Sequence, residues 1–401
     1  MAGLRIAVIA QPNRGGMWIP PLAEELRRRG HEVTVVLPPP PAPGELTNAL
    51  TGRRFPVIAA PLPDRLRPVR LWRLRQTIRG LGVDVVYYHP YAVALAIRLA
   101  TLGMRVRRVH RVDGALHLDS PASRRLERLL WRMDHATICC TEHVSARYGK
   151  LGCPADRRPV AYAGTNLARF RPSWAPRDRY AGSPARAEAR AKARAEIGVD
   201  EHVFLVVLIC YVYPPRRSVY RGRCIKGHDV LLEAWSTFHA RHPRSHLLIV
   251  GGGVGEAGEA HRAELVERFA VVGNPSVTWL DSLPDVRPYY RAADVNVSPA
   301  RGAGSSGAVR EASAMSVPSI VSDADGLPEA LDEADGWVVP RGDAVALATA
   351  LDVAYEEFES DRLAIRGDQA RRRAVRLFDD RVAAIRVADI IERTASAVPT
   401  R

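Results

Sequence analysis

Short apolar runs alternate with longer stretches of helical periodicity along most of the chain. Arg5–Ala10 reads as a buried strand, 11–16 as a loop, and Ile19–Arg29 as a helix closed by Gly30. Glu32–Leu37 then returns as a second strand, which completes a strand–loop–helix–strand unit. Further strands are predicted at Phe55–Ala59, Val83–Tyr88, Val106–Val112, Ala136–Cys140 and Arg158–Ala161, with helical stretches between most of them. The pattern breaks at Phe170–Pro172. Ser173–Ala195 is rich in Ala, Arg and Pro; its first part reads as a linker, and Pro184–Ile197 as a helix. The alternation then restarts. Strands are predicted at Val203–Cys210, His246–Val250, Val277–Leu280, Val295–Ser298, Ser319–Val321 and Val338–Val339. Helices are predicted at Asp229–Arg241, Ala260–Ala270, Val286–Ala292 and Val309–Met315, and Ala344–Ser396 is helical throughout.

Strands alternating with helices argue for parallel, doubly wound sheets with helices on both faces. The expected class is α/β, with two similar Rossmann-like domains joined near residue 175. The predicted organisation is a first domain over 1–175, a second over 196–370, and a closing helix over 371–401. Open parallel sheets bind ligands at the carboxyl ends of their strands. Two such sheets facing across a cleft would place the chemistry there.

Composition narrows the class. At 401 residues, 25% charged and 47% hydrophobic, the chain is not a disordered one. Its five cysteines show no Cys-x-x-Cys spacing and read as buried, reduced thiols, so neither a disulfide framework nor a zinc site is expected. No basic segment precedes a long apolar one at the start, and no run approaches the ~18 apolar residues of a membrane helix. A soluble, cytoplasmic protein is the expectation. The net charge of +14 is unevenly spread: residues 1–172 hold 28 Lys and Arg against 12 Asp and Glu. This excess suggests that the first half meets something anionic, either an acidic small molecule or a membrane surface. No nucleic-acid reader motif accompanies it. An Arg-heavy surface set by composition alone is the other reading. The densest stretch, Arg65–Arg75, places Leu71, Leu74 and Ile78 at helical spacing, which predicts an amphipathic helix with a basic face.

Several residues could carry chemistry. Gly302–Gly307 lies between a strand and a helix, where free amides beside a helix N-terminus make a seat for phosphate. Glu311, one turn into that helix, could accept hydrogen bonds from a ribose diol or could simply complement the helix dipole. Lys226-Gly227-His228 opens another helix at a strand's carboxyl end, where a cation can neutralise a diphosphate; a solvated basic loop is the alternative. Gly15-Gly16 follows the first strand and permits close backbone approach, without the Gly-x-Gly-x-x-Gly of a dinucleotide site. His110 and Asp113 end another strand as candidate polar groups. Asp323-Ala324-Asp325 lacks companion ligands for a metal.

Taken together, these segments resemble the family-four retaining glycosyltransferases, which have the GT-B fold. The resemblance spans nearly the whole chain. It rests on Gly15-Gly16, Leu26-x3-Gly30-His31-Glu32-Val33, Ala163-Gly164-Thr165-Asn166-Leu167-x2-Phe170-x-Pro172, Lys226-Gly227-x-Asp229-x-Leu231-Leu232-x-Ala234, Tyr289-Tyr290-x2-Ala293-Asp294-Val295 and Gly326-Leu327-Pro328-Glu329, in that order. The resemblance implies a hexosyltransferase of a biosynthetic step, with a nucleotide-diphosphate sugar bound by the second domain, the acceptor by the first, and the closing helix over 371–401 crossing back to the first domain. Lys226 and Arg221, five residues before it, would hold the donor diphosphate and act in catalysis. Gly15, Gly16, Gly304, Ser305, Ser306 and Gly307 would complete the donor site, and Glu311, the second Glu of the family's Glu-x7-Glu, would meet the ribose.

Two departures stand out. The first Glu of that motif is Ala303 here, and Cys210-Tyr211-Val212-Tyr213-Pro214-Pro215 with a longer loop replaces the family's Gly-Arg-Leu. Asp113 takes the place of a His found in relatives; with His110 it is expected at the acceptor, and Asp113 also at the reacting sugar. Transfer with retention, without cofactor or metal, to a small or lipid-linked acceptor hydroxyl is the implied activity. A weakly active or inactive sugar-nucleotide binder and a sugar-nucleotide epimerase are the alternatives.

Overall fold

The computed structural model describes residues 3–11, 16–39, 44–60, 62, 67–174, 183–215, 220–302 and 306–396. The chain divides into two compact units: residues 1–164 with 380–401, and residues 165–379.

Unit 1 runs β1 (Arg5–Ala10), α1 (Ile19–Arg28), β2 (Glu32–Leu37), α2 (Glu45–Gly52), β3 (Val57–Ala59), α3 (Pro68–Leu81), β4 (Val85–His89), α4 (Tyr91–Ala100), β5 (Arg107–Val112), α5 (Pro121–Leu130), β6 (Ala136–Cys139) and α6 (Glu142–Gly149). Unit 2 runs α7 (Pro184–Ile197), β7 (Phe204–Ile209), α8 (His228–Arg241), β8 (Ser245–Val250), α9 (Gly255–Arg268), β9 (Val277–Leu280), α10 (Arg287–Ala292), β10 (Val295–Ser298), α11 (Gly307–Ala314), β11 (Ser319–Ser322), β12 (Gly336–Val339), α12 (Ala344–Glu359) and α13 (Leu363–Leu377). The final helix, α14 (Asp380–Ser396), belongs to unit 1.

Both sheets are six-stranded, with every strand pair parallel, and both share one topology. The orders are β3-β2-β1-β4-β5-β6 and β12-β11-β10-β7-β8-β9. Each is the Rossmann order, so the α/β expectation holds. The central strands are apolar on both faces because helices cover both: Ile6, Ala7, Val8 and Ile9 have no exposed surface, and neither do Phe204, Leu205, Val206 and Val207.

Several boundaries differ from the sequence expectation, each for a packing reason. Residues 165–175, predicted to end the first domain, and 176–195, predicted to lie between the domains, belong to unit 2. There α7 buries Arg194, whose guanidinium reaches Asp294 Oδ2 at 2.5 Å and the Ala292 carbonyl at 3.1 Å. The closing segment is not one element. It breaks after Glu359 and again after Leu377, and residues 371–379 stay with unit 2. α13 is held there by Arg371, which donates to the Ala314 carbonyl at 2.7 Å, and by the Arg186–Asp368 pair at 2.9 Å. α14 buries Val387, Ala388, Ile390 and Ile391 in the cluster that contains Ile6, Val8, Leu22 and Leu26. Each of the Val and Ile side chains is worth about 1.5–3 kcal/mol. Arg29 adds contacts to Asp389 and Glu392, both at 2.7 Å. The strand expected at Arg158–Ala161 is only a single bridge from Val160 to Cys139. Pro159 has no N–H to extend the ladder.

Candidate functional site

Strand order reverses between β7 and β10 in unit 2, the place where an open parallel sheet leaves a crevice at its carboxyl edge. Two helix N-termini flank it. One belongs to α8 and follows Lys226 and Gly227. The other belongs to α11 and follows Ser306, whose hydroxyl caps the helix by accepting from the Val309 amide. Arg301, 7% exposed, ties the loop after β10 to the start of α8. Its amide donates to the Ile225 carbonyl at 2.8 Å, and its guanidinium to the Cys224 carbonyl at 2.9 Å and Asp229 Oδ1 at 2.6 Å. Gly227 has φ +76° and lies so close to Pro299 that any Cβ there would collide with the Pro299 carbonyl. The backbone carrying Lys226 is therefore fixed against the loop after β10. The Lys226 ammonium sits 5.7 Å from the Tyr213 ring centroid.

Glu311 is half-buried on α11. Burial pushes its carboxyl above the usual range, while Arg310, Arg169 and the Tyr290 hydroxyl oppose that shift. The Gly251–Gly253 turn after β8 is no phosphate cradle. Its amides at 252 and 253 are already taken, by Ser282 Oγ at 3.0 Å and Glu259 Oε1 at 2.7 Å. Gly304 and Ser305 lie outside the described residues, as does Gly15. Arg221 falls in a 3₁₀ turn over Tyr220–Gly222, and its side chain lies outside the described ones. Gly307 is the first residue of α11.

In unit 1 the corresponding edge carries a compact polar cluster. Gly16, at φ +82°, lies in the segment between β1 and α1. His89 ends β4, Asp113 follows β5, and Cys140 follows β6. Register sets them side by side, since His89 pairs along the ladder with Ala10 and Val112 with Cys139. Asp113 Oδ1 accepts from Arg111 Nε at 2.7 Å and from the Cys140 thiol at 2.8 Å; His89 Nε2 lies 3.5 Å from Oδ2. Burial opposes ionisation of Asp113, yet Arg111, His89 and Cys140 hold its carboxyl well below the usual carboxylate range. Burial also lowers the His89 imidazole, which favours its neutral form. The Arg111 guanidinium packs 4.2 Å over the Trp18 ring.

His110 does not join this cluster, which corrects its expected place at an acceptor. Side chains alternate faces along a strand, so Arg111 faces the cluster while His110 points to the opposite side. It is fully buried and stacked on Tyr88 at 4.9 Å. Its Nδ1 lies 3.4 Å from Arg98. Arg98, Glu127 and Asp134 form a buried ion cluster with N–O distances of 2.6–3.0 Å. Burial and the Arg98 charge keep His110 uncharged.

Two family models match the chain. "Glycosyl transferase 4-like domain" covers residues 19–164, and "Glycosyl transferases group 1" covers 215–357. Together they take in most of its length. The chain carries both of these domains and is a glycosyltransferase.

Among curated relatives, the D-inositol 3-phosphate glycosyltransferase of Nocardia farcinica is 28% identical over 368 residues, 83% of this glycosyltransferase and 76% of the relative. The protein of that name from Streptomyces coelicolor is 30% identical over 206 residues, 49% of this chain and 42% of the relative. Against relatives of that name other than the Nocardia one, the match spans 39–54% of their length. Among solved structures, a Rickettsia africae glycosyltransferase superposes with a TM-score of 0.79 at 17% identity, over 99% of this chain and 100% of that one. Anabaena HepE in complex with UDP-glucose gives 0.77 at 18%, over 97% and 100%. At such identities the structures speak for the fold.

Sequence reasoning missed Arg301, His89, Arg111, Cys140 and Trp18 in this glycosyltransferase. A pairing across strands has no signature within one strand. A signal did exist for Arg301, which directly follows the apolar strand end Val297–Ala300 and adjoins the Gly-rich loop.

Proposed function

We propose that this glycosyltransferase moves a sugar from a nucleoside-diphosphate sugar to an acceptor hydroxyl with retention of anomeric configuration. The observation that carries it is the switch-point crevice of unit 2, which two helix N-termini flank and where Arg301 ties the loop after β10 to the segment that carries Lys226. Helix N-termini and a cation suit a diphosphate. Glu311 accepts the ribose hydroxyls. Unit 1 offers Asp113 to the acceptor or the reacting sugar. As the bond from the sugar's anomeric carbon to the diphosphate breaks, charge builds on the leaving oxygen, and Lys226 and the amides stabilise it. The acceptor oxygen bonds to the same carbon from the leaving-group face, and its proton passes to the departing diphosphate. This route asks for no metal. The solved structure holding UDP-glucose supports a donor of this class.

A thermal-shift screen of UDP, GDP and ADP with their glucose conjugates tests the reading. Saturation at 100 times Kd adds about 2.7 kcal/mol to the native state, read as a rise of several degrees. NMR of the product's anomeric proton then reports retention. No stabilisation by any nucleoside diphosphate rejects the proposal. Stabilisation without donor hydrolysis or transfer favours the second reading, a sugar-nucleotide binder, which Ala303 motivates.

We also place the protein at the cytoplasmic face of a membrane. Among the described residues no helix is long and apolar enough to cross one. α3, however, exposes Val69 (62%) and Trp72 (60%) beside Arg73 and Arg79, while Leu74 and Ile78 face the core. Co-sedimentation with vesicles is expected to rise with their anionic lipid content and to fall with salt and in Trp72→Glu. Binding indifferent to lipid charge counts against this contact.

A further inference from the structure

α5 turns the opposite of the usual face toward the core. An amphipathic helix ordinarily buries its apolar stripe. α5 instead buries Glu127, which has no exposed surface, and leaves Leu126 43% and Leu129 67% exposed. Ala122 is exposed as well. These three residues follow one another at spacings of four and three, so they lie on one side of the helix. The cause lies beneath it. Arg98 of α4 is fully buried and holds both oxygens of Glu127 at 2.8 Å, and the Tyr148 hydroxyl donates to Glu127 Oε1 at 3.0 Å. Glu127 thereby fixes which face of α5 points inward, and the leucines are carried outward.

The same side of the sheet carries α3. The steps from β3 to β4, β4 to β5 and β5 to β6 all run in one direction along the sheet. Right-handed crossovers then put α3, α4 and α5 on one face. The contacts agree. Leu74 and Ile78 of α3 and Val93 and Ile97 of α4 share a cluster with Tyr88. The Tyr88 hydroxyl donates to Asp134, and Arg98 of α4 joins Asp134 to Glu127 of α5. The exposed Val69 and Trp72 of α3 and the exposed leucines of α5 therefore belong to one helical layer.

Every exposed charge on α5 is positive. Arg125, Arg128 and, just beyond the helix, Arg132 are exposed, and among the described residues no carboxylate pairs with any of the three. A second copy of the chain is a poor occupant for this face, because a two-fold contact would set Arg125 and Arg128 against their own symmetry mates. Leucines beside unpaired guanidiniums suit the boundary of an anionic leaflet, where arginine meets lipid phosphate. We propose that α5 is a membrane-contact element in its own right, seating Leu126 and Leu129 at the acyl boundary of an anionic leaflet with Arg125 and Arg128 on lipid phosphates. The inference rests on the membrane placement proposed from α3 and deepens it by naming a second helix on the same face.

Co-sedimentation of the full chain with phosphatidylcholine vesicles, with and without phosphatidylglycerol, tests it alongside Trp72→Glu. Leu126→Gln/Leu129→Gln is expected to weaken partitioning onto the anionic vesicles by roughly tenfold or more. Its melting temperature should stay that of wild type, since both side chains are exposed. Arg125→Gln/Arg128→Gln is expected to weaken binding to a similar degree and to flatten its salt dependence. If both α5 variants stay within twofold of wild type while Trp72→Glu loses binding, the inference is overturned and the α3 contact stands. Loss in the α5 variants alone upholds the inference and removes α3. No binding of wild type to anionic vesicles overturns both. A wild-type dimer that Leu126→Gln/Leu129→Gln converts to monomer in sedimentation velocity, without loss of vesicle binding, gives the stripe to a second copy and overturns the inference as well.

Discussion

Replacing Lys226 by Ala is expected to lower kcat/KM for the sugar nucleotide by 10²–10³-fold, about 2.7–4 kcal/mol of lost transition-state stabilisation. The loss should fall on both kcat and donor affinity, since the ammonium meets the diphosphate before and during bond cleavage. Among the described residues no carboxylate lies within 4.0 Å of Lys226, so the unliganded protein should melt within a degree or two of wild type. The stabilisation by nucleoside diphosphate should disappear. Lys226→Arg tests geometry, because a planar fork replaces a compact charge and partial recovery is expected. A variant that keeps its kcat/KM within threefold of wild type, or keeps its nucleotide shift, removes Lys226 from the donor site.

Removing Arg98 is expected to give the largest loss of stability. Its guanidinium is fully buried and neutralises two buried carboxylates, with Nη2 at 2.8 Å from Glu127 and 2.6 Å from Asp134. Truncating one partner of such a cluster leaves charge buried without a counter-ion, which costs about 3–5 kcal/mol. At ~2–4 °C per kcal/mol for a domain of this size, Arg98→Ala should lower the melting temperature of unit 1 by roughly 6–20 °C. Tyr88→Phe removes only the hydroxyl that donates to Asp134 and should cost about 1–3 kcal/mol. A melting temperature within 2 °C of wild type excludes the clamp role.

The strands of both sheets were legible because each is a short apolar run between turn-forming or helical segments. Arg5–Ala10, Glu32–Leu37, Val277–Leu280 and Val295–Ser298 occupy the residues expected. α1 was legible at its C-terminal end through Gly30, whose φ of +86° closes the helix. Lys226-Gly227 and the 302–311 segment could be singled out because local residue types announce a strand-to-helix turn with spare amides. The face of His110 was not legible. An apolar run buried on both sides gives no alternation to show which way a given side chain points, and one residue decides between the Asp113 cluster and the core. The breaks around α13 were equally hidden, since Ala- and Arg-rich helical sequence continues across them.

The amino-acid order by itself determined the two doubly wound sheets, the helix starts after Lys226-Gly227 and after the 302–307 loop, and the excess of positive charge in the first half. These are properties of neighbours in the chain, set by periodicity, turn chemistry and composition. Only the tertiary structure decided that the closing segment breaks around α13 and leaves α14 alone with unit 1, that Arg301 ties the loop after β10 to the start of α8, and that Arg111 is spent on Asp113 instead of remaining free for an anion. Each of these depends on strand order and register, which bring together residues far apart in sequence, and a hydrogen bond between them has no trace in the local pattern of either partner.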